Sequence, residues 1–204
     1  MSRVGKRSKG LLLLACLLLA GFGAAMTARG AGAGDKISFD MGPTGAALAC
    51  QPNAHGHVVV EAKHGVEKLK LKIDGLPANT GFDVFVIQVP KAPFGMSWYQ
   101  GDMETNHDGR GEQTFLGRFN IETFIVAPGS APAPPTHPLD ATINPATNPV
   151  HMYHLGVWFD SPADALAAGC PGNVTPFNGE HHAGIQVLNT SGFPDNAGPL
   201  SQLG

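Results

Sequence analysis

Nine histidines stand in this chain of 204 residues, and their spacing decides what metal chemistry the sequence offers. His151 and His154 are three apart, and His181 and His182 are adjacent. Imidazole is the commonest transition-metal ligand, so these four are the candidate ligands for copper or zinc. Side chains of a strand alternate between its faces, however, so histidines one or three apart diverge, and a site must be assembled across strands. His55-Gly56-His57 has the two-residue spacing that puts both rings on one side. It stands at a strand start with no third ligand evident. The expectation is therefore no cofactor, with a transition metal on the loop histidines as the alternative.

Other chemistry is sparse. Glu104 to Gly109 places oxygen ligands at alternate positions and glycine sixth, as a calcium loop does, but the twelfth position is Phe115, where a bidentate Glu is required. No Gly-x-Ser-x-Gly occurs; Ser97 sits in Gly95-Met96-Ser97-Trp98-Tyr99. The carboxylates Asp102, Glu104, Glu122 and Asp160 are not paired by spacing, and no phosphate-cradling glycine loop is present. The chain is expected not to be an enzyme. The residues left for recognition are aromatic and apolar. Phe94, Met96, Trp98 and Tyr99, in the Pro/Gly-punctuated run Lys91–Gln100, form the candidate binding surface, with capping of the core as the competing role. Trp158, inside Val157-Trp158-Phe159, reads as core.

The elements that must position these residues belong to an exported chain. Arg3, Lys6, Arg7 and Lys9 precede an apolar run from Leu11 to Ala25 and then small residues, the layout of a secretory signal, so residues 1–33 are read as signal and processing region. An uncleaved N-terminal anchor is the alternative. Of the 13 basic residues, five lie before Gly34, leaving 8 against 16 acidic ones, a net charge of −8. Such a chain lacks the basic footprint of a nucleic-acid binder and is repelled by anionic lipid. Cys16 departs with the signal; Cys50 and Cys170 are then an even pair in an oxidising compartment and are expected to be bonded.

Residues 34–204 read as one domain. Gly 27 and Pro 17, scarce helical periodicity and many short β-rich runs favour an all-β, immunoglobulin-like antiparallel sandwich. Its clearest stretch is Lys68–Pro90. Lysines 68, 70 and 72 alternate with Leu69, Leu71 and Ile73; a turn runs from Gly75 to Gly81; Phe82–Val89 is then almost wholly β-branched and aromatic. The pair reads as a hairpin, its lysines a positive stripe able to form ion pairs or dock an acidic partner. Asp108-Gly109 signals another hairpin. Residues 128–149 hold seven prolines and read as an extended loop. One helix is expected over 161–169, with Ser161 at the N-cap, Pro162 first in the helix and Gly169 at its end. Ala183–Thr190 reads as the last strand and the tail as turn-like and frayed.

The run Ile73-Asp74-Gly75-Leu76-Pro77-Ala78-Asn79-Thr80-Gly81-Phe82-Asp83-Val84, followed by Asp108-Gly109, resembles exported bacterial β-sandwich domains of the CHRD and Cu,Zn superoxide dismutase-like kind. The resemblance spans about residues 57–118. It implies the fold. In the dismutases the strand after this turn carries a His-x-His copper pair, and Asp83-Val84-Phe85-Val86 has none, so the resemblance argues against that activity. The functional expectation is a secreted or cell-surface, non-catalytic module, binding or structural in the cell envelope, with an extracellular protein or glycan as partner. An extracellular metal-binding or redox protein is the alternative.

Overall fold

The computed structural model describes residues 36–63, 65–120, 123–126, 149–175 and 182–203. The segment read as a signal and processing region, His181 and the Pro-rich run up to Asn148 lie outside the described residues. In chain order the elements are β1 (Lys36–Met41), α1 (Ala47–Cys50), β2 (His55–Lys63), β3 (Val66–Asp74), β4 (Gly81–Ile87), β5 (Ser97–Glu104), β6 (Gly111–Gly117), β7 (Phe124–Val126), β8 (Pro149–His151), β9 (His154–Phe159), α2 (Pro162–Ala167), β10 (Gln186–Asn189) and a 3₁₀ turn (Pro199–Gln202). Two four-stranded antiparallel sheets, β1-β2-β3-β6 and β10-β9-β4-β5, make an all-β sandwich; β7 and β8 form a two-stranded ribbon. The sheets meet through Phe39, Val58, Val60, Leu69, Leu71 and Ile73 on one side and Phe82, Val84, Leu155, Val157 and Phe159 on the other. Alternation in β3 is as read: its leucines and Ile73 turn inward and its lysines outward.

The Lys68–Pro90 stretch is not a hairpin. β3 pairs with β2 and β6, whereas β4 pairs with β5 and β9, so the turn carries the chain from one sheet to the other. The physical reason lies in β4 itself. Phe82 to Ile87 are all buried, on both faces, so the strand needs neighbours at both edges and cover above and below. The Asp108-Gly109 turn likewise links β5 of the second sheet to β6 of the first. It folds on Asn106, whose Oδ1 accepts from the backbone N–H of Asp108 and Arg110 at 2.9 and 3.1 Å. Gly109 adopts φ +70, and a Cβ there would lie 2.1 Å from the Leu76 carbonyl, so only glycine lets the two crossings pack together.

α2 follows its signals. Ser161 Oγ accepts from Asp164 N at 3.1 Å, Pro162 opens the helix and Gly169 adopts φ +76. Cys170, next in line, is bonded to Cys50 at the end of α1, so one cross-link staples both short helices. Two expectations change: Ser97–Gln100, part of the Pro/Gly-punctuated run, belongs to β5, and the tail, read as frayed, is held, with Leu200 and Leu203 fully buried. Opposite the β5–β6 crossing, Gly42 and Asn189 exchange both backbone hydrogen bonds at 3.1 and 3.0 Å, so β1 runs on to meet β10.

Candidate functional site

The outer face of the second sheet carries a second apolar cluster, separate from the core. Phe85, Ile87, Trp158 and Ala183 are buried there, with Phe94 packed against them. Trp158 stands edge-on to Phe85 and Phe94, centroids 5.4 and 5.1 Å away, and Tyr99 stands edge-on to Phe85 at 5.5 Å. The indole lies over Gly156, where a Cβ would come within 2.3 Å of it. Three carboxylates close one end of this face: Asp83 from β4, Asp102 directly opposite on β5, and Asp160 just past β9. Among the described residues they are the one group of His, Cys, Asp or Glu whose ligating oxygens or nitrogens all lie within 4.8 Å of one another. Oxygen-only donors at that spacing suit a hard cation such as Ca²⁺. Asp83 is buried while the other two are exposed.

Tyr99 ties the aromatic cluster to the carboxylates, its hydroxyl donating to Asp102. Its phenol is held well above the ordinary range, first by burial and then by the Asp102 acceptor and the field of all three carboxylates. Tyr99 is nevertheless 46 % exposed, and Trp98 58 %. The two are neighbours on β5, the edge strand, and face opposite sides of it: Tyr99 shares the Phe85 face and Trp98 the Val86 face. Of the other two residues read as a binding surface, Phe94 packs on Trp158 and Met96 on the core, which leaves Trp98 and Tyr99 as the accessible part. The strand edge is not bare. Gln100 Nε2 reaches the carbonyls of Trp98 and Tyr99 at 3.3 and 3.4 Å, where an added strand would donate.

The histidines read as metal ligands are placed apart in role. His154 is fully buried and both ring nitrogens are engaged, Nδ1 with Thr190 Oγ1 at 2.9 Å and Nε2 with the Asp195 carbonyl at 3.2 Å. Burial holds its pKa below the usual imidazole value, and the acceptors around it offset part of that shift. His154 thus pins the C-terminal segment to β9. His151 stacks on Tyr153 at 5.0 Å, its Nδ1 3.2 Å from the Thr123 carbonyl. His182 is exposed. None of these three belongs to the carboxylate group.

The outer face of the first sheet holds the lysine stripe, and most of its charge is answered in place. Lys70 and Lys72 straddle Glu112 at 2.5 and 3.1 Å, holding that carboxyl below its ordinary pKa. Lys36 and Lys63 do the same to Glu61, whose pKa falls to about 2. At the end of this face the sequence reading missed two acidic neighbours of His55 and His57. Asp40 Oδ1 lies 2.7 Å from His57 Nδ1 and 3.7 Å from His55 Nε2; Asp74 Oδ2 lies 3.9 Å from His55 Nδ1. An open, mainly apolar pocket of about 290 Å³ lies elsewhere, between Thr44–Ala46, Lys91–Phe94 and Ile185–Gln186. No helix among the described residues is long and apolar enough to cross a membrane. Comparison with protein-family models and with curated proteins gives no match.

Proposed function

We propose that this chain is an exported, non-catalytic β-sandwich module that binds a glycan of the cell envelope along the β5 edge. The observation that carries the reading is the exposure of Trp98 and Tyr99 on adjacent positions of an edge strand, next to the exposed carboxylates of Asp102 and Asp160. Aromatic faces stack on the apolar faces of sugar rings, and carboxylates accept from their hydroxyls or, in amino sugars, from an ammonium. Export is supported by the basic and apolar layout of the first 25 residues and by the Cys50–Cys170 bond. The Phe85–Trp158–Phe94 cluster gives Tyr99 a rigid base, and Trp98 extends the edge on the other face of β5.

The test is a glycan array of bacterial and host surface polysaccharides followed by calorimetry on any hit. Saturable binding that Trp98→Ala and Asp102→Asn each weaken by about tenfold or more, roughly 1.4 kcal/mol, with unchanged melting temperature, supports the reading. Absence of binding across the array, or binding indifferent to both substitutions, overturns it.

A further inference from the structure

The open pocket at the β10 edge of the second sheet takes its walls from three distant parts of the chain. These are the turn Thr44–Ala46 after β1, the segment Lys91–Phe94 after β4, and Ile185–Gln186 at the start of β10. One buried side chain touches all three parts. The amide of Asn189, 2 % exposed, shares its two Nδ2 hydrogens among Thr44 Oγ1 at 2.8 Å, the Pro90 carbonyl at 2.9 Å and Gln186 Oε1 at 2.8 Å. Backbone groups fix which way this amide points. Its Oδ1 accepts from the Ser191 N–H at 2.9 Å, and the Pro90 carbonyl can only accept.

The fixed amide in turn sets the polarity of the pocket. Gln186 gives its oxygen to Asn189, so the group it has left is Nε2, a donor, buried and with no acceptor among the described residues. Thr44 Oγ1 receives a hydrogen from Asn189, which leaves its own O–H to donate. Lys91 forms no ion pair among the described residues, whereas Lys36, Lys63, Lys70 and Lys72 are each held by a glutamate. The polar side chains of the pocket are therefore all donors, and no carboxylate lines it. Ala46, Ala92, Phe94 and Ile185 make the rest apolar.

We propose that this pocket binds a small monocarboxylate with a compact apolar body. A carboxylate is an acceptor-only headgroup, which matches an all-donor lining, and its hydrogen bonds to an ammonium are charge-assisted. Residues 34–204 carry a net charge of −8, so an anion is held only where donors converge locally. The apolar walls set the site apart from one for inorganic phosphate, which would leave them without contact. The volume of about 290 Å³ holds about ten groups the size of a water molecule, at roughly 30 Å³ each, which sets the size of the ligand. β10 and β5 are opposite edges of the sheet, so this site stands independently of the glycan reading.

The test is a ¹H–¹⁵N NMR titration of the full chain with 3-phenylpropionate at neutral pH. A ligand of this size should saturate with a Kd on the order of 0.1–1 mM and shift the backbone amides of the three walls. 3-Phenylpropionamide, which keeps the shape without the charge, should bind about tenfold more weakly. Lys91→Met should weaken the acid by about tenfold and leave the amide unchanged, and Lys91→Arg should restore most of the loss. Thr44→Val should weaken the acid by about threefold or more. Lys68→Met removes an exposed charge from the first sheet and should change nothing, which separates a local contact from net charge. The dispersion of each variant's spectrum checks that it folds. No saturable shift below about 5 mM, equal affinity for acid and amide, shifts centred on Trp98–Asp102, or a Lys91→Met effect no larger than that of Lys68→Met overturns the assignment.

Discussion

Gly156→Ala is the most demanding test of how the candidate face is built. The substitution adds one methyl group in the middle of β9, opposite Phe85. That carbon would lie 2.3 Å from Cζ3 and 2.5 Å from Cη2 of Trp158, and 2.8 Å from Gln186 Nε2. Carbon atoms pack best about 3.5–4.0 Å apart, so the indole must retreat by more than about 1 Å. It has little room to do so, because Phe85 and Phe94 hold its edges at 5.4 and 5.1 Å between centroids and the side chain is fully buried. Overpacking of this kind costs about 1–3 kcal/mol. Expulsion of the indole would cost about 3–5 kcal/mol, the range for losing a buried tryptophan. Alanine loses less backbone entropy than glycine on folding, which returns about 0.5–1 kcal/mol. With the indole held at both edges the upper part of the overpacking range, about 2–3 kcal/mol, applies, and the net expectation is a loss of about 1–2.5 kcal/mol. The assay is urea unfolding followed by fluorescence in a Trp98→Phe background; with two tryptophans in the chain, the signal then belongs to Trp158 alone. A loss below about 0.5 kcal/mol, or an unchanged Trp158 emission maximum, would refute the reasoning.

Three further outcomes are expected. Replacing Cys50 and Cys170 by alanine frees a sequence separation of 120 residues, for which chain entropy gives about 5 kcal/mol, and a loss under about 1 kcal/mol in urea would contradict that account. Tyr99 and Tyr153 are the chain's two tyrosines and both phenols are held above the ordinary value of 10.0, so absorbance at alkaline pH should show little tyrosinate until the fold opens; Asp102→Asn should ease Tyr99 downward, and normal titration of both in the native protein would exclude the described environments. For His154 the folded pKa is depressed below 6.5, so the unfolded chain binds more protons. Its contribution is complete above pH 6.5 and is lost as pH falls toward the folded value; His154→Gln should flatten the acid side of the urea midpoint against pH, and a parallel pair of curves would count against it.

Much of the fold was legible because short-range chemistry decided it. The period-two alternation of β3 and the Ser161-Pro162 start of α2 each rest on a few adjacent residues and stand where they were read; Asp108-Gly109 is a turn as read, but it joins two sheets and not the two strands of a hairpin. The sheet assignment of β4 was not legible in the same way. Its apolar run is equally compatible with a hairpin partner of β3 and with the centre of a second sheet, and what decides is the supply of partners 67 to 77 residues downstream, from Ile87 with His154 to Phe82 with Phe159. The frayed tail failed for a related reason. Pro199-Leu200 looks like turn sequence until Leu200 donates its N–H to the Tyr153 carbonyl at 3.1 Å and buries its side chain.

The candidate sites were harder to read than the fold because each is a product of register. Asp102 and Asp160 were visible as carboxylates, yet nothing local pairs them, and Asp83 carried only the oddity of a charge within an apolar strand. Only the antiparallel alignment of β4 with β5 and β9 sets the three together. The same holds for His57 and Asp40, 17 residues apart and facing each other across β1 and β2. A slip of one residue in that pairing would turn Asp40 toward the core and leave His57 without its carboxylate neighbour from β1. The alternation of Phe39 and Met41 inward with Asp40 outward forbids that slip, since it would expose two core side chains to bury one carboxylate. The apolar pattern that makes the sandwich therefore also fixes the Asp40–His57 contact, and disturbing the register of β1 should remove stability and that contact together.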